Sequence, residues 1–221
     1  MILAIDTATR MIGLALHDGN QVLAESMWLA GRKHTVNLAP ELAMMLRRNE
    51  IAITDLTAVA VASGPGSYTG LRIGLALAKG LCLAHNMPLA AVPTLDILAA
   101  AQPRSKLPML AVIEVGRKRL AGVWYKWGRG GWKAQSEPEN LSWLEIVKGL
   151  ESKTYLCGEI NAERRAELRQ HEAVELADPA TCVRRPAFLA QVGAENLKKK
   201  KRPRPEEISP FYLGMVDGKV D

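Results

Sequence analysis

The sequence is poor in the residues that disulfide and metal chemistry require. Its three cysteines, Cys82, Cys157 and Cys182, are an odd number with no CxxC pair. That fits a reducing cytosol better than a disulfide framework. Each lies in an apolar or mixed stretch, where a cysteine serves as a small buried hydrophobe. Four histidines, His17, His34, His85 and His171, are too widely spaced for an HxxxH or HExxH pair, so a helical two-histidine metal site is excluded and no metal ligand set is expected. No Gly-Lys-Ser/Thr follows the glycine loop at Gly64–Gly66, which rules out a Walker loop. Long apolar runs are also missing. The longest, Leu71 to Ala84, contains Arg72 and Lys79 and falls short of the ~20 residues that cross a bilayer. The first ten residues carry Asp6 within their apolar stretch and have no basic start, unlike a secretory signal. A cytoplasmic chain without a membrane span is expected.

What is present is an ordinary globular composition, 48% apolar and 24% charged. The charge is unevenly placed. Up to Gln102 there are 7 Lys+Arg and 7 Asp+Glu, and from Pro103 onward 22 and 16, so the whole excess of +6 lies in the second part. Such a balance permits an anionic partner such as RNA.

The opening reads as three strands, Ile2 to Asp6, Ile12 to His17 and Val22 to Leu29, the last two joined by Asp18-Gly19-Asn20, a hairpin signal. A helix is expected from Thr35 to Asn49, where Leu38, Leu42, Met45 and Leu46 recur at helical spacing and Pro40 is tolerable only near the first turn. A strand (Leu56 to Ser63), a glycine loop, a long helix (Thr69 to His85), a strand (Met87 to Val92) and a short helix (Leu95 to Ala101) follow. This order suits a mixed five-stranded sheet covered by helices. Gln102 to Pro108 reads as the junction between two domains, 1–102 and 103–221. The second holds a strand pair, Leu110 to Val115 and Ala121 to Trp127, a turn at Gly128 to Gly131 and a strand from Thr154 to Gly158. Helices are expected near Ser142–Leu150, Ala162–Gln170 and Arg185–Lys201, and a short apolar strand or docking segment closes the chain at Ile208 to Leu213. No internal repeat is legible.

Four stretches carry candidate chemistry. In Ser63-Gly64-Pro65-Gly66-Ser67-Tyr68-Thr69-Gly70, a strand, a glycine loop and a helix start aim backbone N–H groups and a helix dipole at one point. That suits an anion, held by Gly64, Gly66, Ser67 and Thr69; the same residues also make a tight turn with Ser67 or Thr69 as N-cap. Asp6 and Thr7, closing the first strand, suit a metal–phosphate unit or an Asx turn. Gly70, Gly74 and Ala78 form a small-residue stripe beside Leu71, Ile73 and Leu77, on a helix apolar nearly all round. It fits either the sheet or, as favoured here, another subunit. Lys198-Lys199-Lys200-Lys201-Arg202 reads as a solvated helix end or an RNA-facing patch.

The block from Ser63 to Gly74, the opening Ile2-Leu3-Ala4-Ile5-Asp6-Thr7-Ala8-Thr9, the stretch His34-Thr35-Val36-Asn37-Leu38-Ala39-Pro40 and the closing Ile208-Ser209-Pro210-Phe211-Tyr212-Leu213 together resemble the TsaB (YeaZ) family. The resemblance spans essentially the whole chain. It implies an actin/Hsp70/sugar-kinase-like (ASKHA) α/β fold of two related halves, the second reduced. It also implies a non-catalytic subunit that pairs with TsaD, and with the ATPase TsaE, in transferring threonylcarbamoyl to the adenosine next to the anticodon of tRNA. The complex uses ATP, this chain requires no cofactor of its own, and a homodimer is expected in the partner's absence. The contact with TsaD would run through the helices after His34 and after the glycine loop, assigning His34, Leu38, Leu42, Met45, Gly70, Leu71, Ile73, Gly74, Leu77 and Ala78 to it. The catalytic sister needs a pair of metal-binding histidines, and this chain keeps only His34 in that region. One departure is Ile113-Glu114-Val115-Gly116-Arg117-Lys118-Arg119, where the family often has Asp-Ala-Arg. The alternative is a free-standing ATP-using enzyme of the same fold, a kinase or ATPase. It would need a second phosphate loop, for which Gly128 to Gly131 is a poor counterpart. A glycoprotease-like metalloenzyme lacks its histidine pair, and no triad is evident.

Overall fold

The computed structural model describes residues 1–29, 34–116, 119–198, 203–213, 215–216 and 219–220, with the side chains of 34–36, 215–216 and 219–220 outside that description. The first sheet comprises β1 (Ile2–Asp6), β2 (Met11–His17), β3 (Val22–Leu29), β4 (Ala58–Gly64) and β5 (Leu89–Pro93), in the order β3-β2-β1-β4-β5. β1, β2 and β3 pair antiparallel, with Ile5 opposite Leu14, whereas β1, β4 and β5 run parallel, with Ile5 beside Val61. The helices α1 (His34–Arg48), α2 (Tyr68–His85) and α3 (Thr94–Ala100) connect them. Pro40 lies inside α1, in its second turn rather than its first, where it removes one i→i−4 bond.

Alternation along the strands gives the sheet two different faces. Leu3, Ile5, Leu14, Leu16, Val59 and Val61 point into one core with Leu38, Leu42, Met45 and Leu46 of α1 and Leu75, Ala78 and Cys82 of α2. The opposite face is lined by small residues, and there α6 (Pro186–Leu197) lies across β1, β2, β4 and β5. A Cβ on its Gly193 would stand 2.5 Å from the Ala60 methyl, and one on Gly13 would meet the Pro186 ring at 2.3 Å. The smallness of both surfaces is what allows helix and sheet to meet. The first unit is therefore Met1–Ile97 together with Arg185–Phe211, and the second is Leu98–Arg184 with the segment from Tyr212 onward. This departs from the expected division into 1–102 and 103–221, because the last long helix closes the first sheet.

The second unit repeats the first in topology. β6 (Met109–Gly116), β7 (Arg119–Gly128), β8 (Gly131–Ala134), β10 (Thr154–Gly158) and β11 (Val174–Leu176) form a sheet in the order β11-β10-β6-β7-β8, with β9 (Glu139–Leu141) added beside β7. β6, β7 and β8 are antiparallel and β6, β10 and β11 parallel, so both units share one strand order and one set of directions. Its helices are short: α4 (Trp143–Lys148), closed by a Ser142–Glu145 capping box, and α5 (Ala162–Leu168), capped by Asn161. This is the expected ASKHA fold of two related halves, the second reduced. β8, β9 and β11 are additions to the elements read from sequence.

Candidate functional site at the glycine loop

β1 and β4 end side by side, and the turns that leave them meet. Asp6, 1% exposed, accepts the Ala8 N–H at 2.9 Å through Oδ1, an Asx turn. The carbonyl of Ala8 then accepts the N–H of Ser67 at 2.6 Å. Ser67 is the N-cap of α2, its hydroxyl accepting from the Gly70 N–H at 3.2 Å. Thr7, also buried, donates its hydroxyl to the Gly70 carbonyl at 2.7 Å. Thr69 is exposed in the first turn of the helix. The donors an anion would use at Ser67 and Gly70 are thus engaged by the chain's own oxygens.

The glycines answer to the same packing. A Cβ on Gly66 would lie 2.3 Å from the Ala8 carbonyl oxygen, one on Gly70 2.2 Å from that of Thr7, and one on Gly74 2.2 Å from Thr7 Oγ1. Gly64 has φ +117° and precedes a cis peptide bond to Pro65. The closing segment lies against it: Phe211 donates its N–H to the Ser63 carbonyl at 2.7 Å, and its own carbonyl oxygen stands 2.2 Å from where a Gly64 Cβ would be. Ile208 anchors that segment in the first core. The segment docks without adding a strand to the first sheet. At the matching end of β10, Gly158 has φ +127° and the Val112 carbonyl oxygen where its Cβ would be. That is a counterpart of Gly64 which sequence reading missed, because Gly158-Glu159-Ile160 carries no second glycine.

The small-residue stripe needs correction. Gly70, Leu71, Gly74 and Ala78 form the buried face of α2, and Leu38, Leu42 and Met45 are buried in α1. These side chains belong to the core of their own fold, because the close approach that small residues allow is taken up by Thr7. Ile73 and Leu77 are half-buried, and the side chain of His34 lies outside the described residues. On the outer side of α2, Ala76, Gly80 and Ala84 are exposed at the same four-residue spacing, and among the described residues nothing stands within 4 Å of the position of a Gly80 Cβ. Near this face Leu83 is 57% and Tyr68 43% exposed, with the Arg72 guanidinium 4.0 Å from the Tyr68 ring centre. The lysine cluster is described only at Lys198, exposed beyond the end of α6; Lys199, Lys200, Lys201 and Arg202 lie outside the described residues. Among the described residues no helix is long and apolar enough to cross a membrane.

The family model of TsaD, tRNA N6-adenosine threonylcarbamoyltransferase, matches residues 28–142. The chain is 28% identical to the tRNA threonylcarbamoyladenosine biosynthesis protein TsaB of Bacillus subtilis, over 99% of this chain and 96% of that protein. It is 34% identical to TsaB of Escherichia coli over 76% of this chain and 67% of the relative. The solved structure of YeaZ from Pseudomonas aeruginosa superposes with a TM-score of 0.75 at 21% identity, covering 96% of this chain and 99% of that one. With more than half of the chain inside the family model and a relative of one-third identity aligned over most of both sequences, the chain belongs to the TsaB (YeaZ) family of tRNA threonylcarbamoyladenosine biosynthesis proteins.

Proposed function

We propose that this chain is a non-catalytic subunit that docks onto TsaD and supports it, with TsaE, in transferring threonylcarbamoyl to the adenosine next to the anticodon of tRNA in the cytoplasm. The observation that carries the reading is Gly80. A glycine inside an exposed helix costs about 1 kcal/mol relative to alanine, and no described residue occupies the space beside it. Flanked by Ala76 and Ala84 and by half-buried Ile73 and Leu77, it offers a second helix a close approach. The same face serves a homodimer in the partner's absence. ATP is consumed elsewhere in the complex, in keeping with the engaged donors at Ser67 and Gly70.

Size-exclusion chromatography with light scattering tests this on the chain alone and mixed with TsaD of the same organism. A heterodimer is expected, lost on Gly80→Leu while that variant alone keeps its fold. Undiminished pairing by Gly80→Leu would remove α2 from the interface. Absence of any complex, with ATP turnover by this chain alone, would overturn the subunit reading.

A further inference from the structure

We infer that the β7–β8 hairpin and the loop entering β6 form a phosphate-binding corner that holds the backbone of the tRNA. Residues 97–136 contain eight Lys+Arg (Arg104, Lys106, Arg117, Lys118, Arg119, Lys126, Arg129 and Lys133) and one acid, Glu114, a net of +7 against +6 for the whole chain. The remainder, with 29 − 8 = 21 bases and 23 − 1 = 22 acids, is close to neutral. Five of the eight gather at one end of the second sheet. Lys126 and Lys133 are direct cross-strand partners, and Arg129 sits in the turn between them. Met109 pairs with Tyr125, which brings the end of the Arg104–Lys106 loop to the same level. All five are exposed, and none forms an ion pair among the described residues.

Like charges directly opposite one another oppose strand pairing. The fold nevertheless holds Lys126 against Lys133, and it does so through the other face of the hairpin. Trp127 and Trp132 meet edge to face at 5.4 Å between ring centres, and Trp132 Nε1 donates to the Gln102 carbonyl at 3.3 Å. Gln102 is itself buried and tied to Leu98, Tyr155 and Thr181. The indoles are therefore the pin of the hairpin and are not offered to a base. Gly130 and Gly131, both at positive φ, have nothing among the described residues within 4 Å of a Cβ position, so a ligand's backbone meets an open tip there. Cations presented without stacking rings suit sequence-independent phosphate contacts.

The inference rests on the tRNA reading above, and the test separates the two. An unmodified tRNA transcript is titrated, over a range of salt, with wild-type chain plus TsaD and with the exposed-residue variant K126A/R129A/K133A plus TsaD; complex mass is read by light scattering. The variant is expected to form the heterodimer, to bind the transcript at least ~10-fold more weakly, and to show a log affinity–log salt slope shallower by about 2, at ~0.7–0.9 per lost phosphate contact. Unchanged affinity and slope would overturn the assignment. A variant that binds tRNA normally but loses TsaD would overturn it too, in favour of an acidic protein surface. Should wild-type chain and TsaD not associate, the subunit reading fails, and the chain alone decides: salt-dependent transcript binding lost in the variant supports the corner, and no binding by wild type refutes it.

Discussion

Thr7 Oγ1 stands 2.2 Å from the position a Cβ on Gly74 would take, while it donates to the Gly70 carbonyl at 2.7 Å. One hydroxyl thus sets the distance between the end of β1 and the first two turns of α2. Gly74→Ala is expected to lower stability by about 1–3 kcal/mol. In a Thr7→Ala background the added cost should fall by more than ~0.5 kcal/mol, since contacting residues couple. Urea unfolding of the two single variants and the double measures this, and strict additivity would refute the relationship.

The closing segment makes a sharper contrast. Ile208 is 5% exposed within the first core, whereas Phe211, 45% exposed, meets Ser63 and Gly64 through its backbone. Ile208→Ala should cost about 2–5 kcal/mol. Phe211→Ala should stay within about 0.5 kcal/mol. Comparable losses in the two variants would mean that the Phe211 side chain anchors the segment.

Arg184, 3% exposed, places Nη1 2.6 Å from Glu159 Oε1, and the other Glu159 oxygen accepts the Glu114 N–H at 3.0 Å. Removing the carboxylate takes this ion pair from a buried guanidinium and the acceptor from the Glu114 N–H. Glu159→Ala is expected to destabilise by about 3–5 kcal/mol, and replacing both residues by methionine by less. Thermal unfolding of both variants gives the comparison.

Burial pushes the Cys82 thiol up to about 11 and holds Cys157 well above its ordinary value of 9.0. Because the thiolate is the reactive form, neither should react with a disulfide reagent at pH 8 until the chain unfolds. The same shift gives a stability contribution that is complete below pH 9.0 and lost as the pH climbs toward about 11, where the unfolded chain has already released its proton. A melting temperature constant from pH 7 to 8.5 and falling above pH 9 is the expected profile.

Much of the first unit is legible in the sequence. Asp18-Gly19 marks its hairpin, and the apolar runs are long enough to show their period. β8 and β9 are not legible: Gly131–Ala134 has one large apolar residue and Glu139–Leu141 is mostly polar, so β7 supplies their reason to be extended. The repeat between the units lies in strand order and direction, which no residue pattern records. In α2 the sequence contains two small-residue stripes. The contacts of Thr7 with Gly70 and Gly74, and the packing of Leu75, Ala78 and Cys82 in the core, turn one stripe to the sheet and leave Ala76, Gly80 and Ala84 outward.

Placing α6 over the alanine face of the first sheet has a consequence for synthesis on the ribosome. The 87 residues from Leu98 to Arg184 separate Ile97 from the helix that covers Ala60 and Ala90. At ~5–20 residues per second they take about 4–17 s to translate. Through that interval the nascent first half has its strands but not its cover, so its native state becomes available only after α6 has been made.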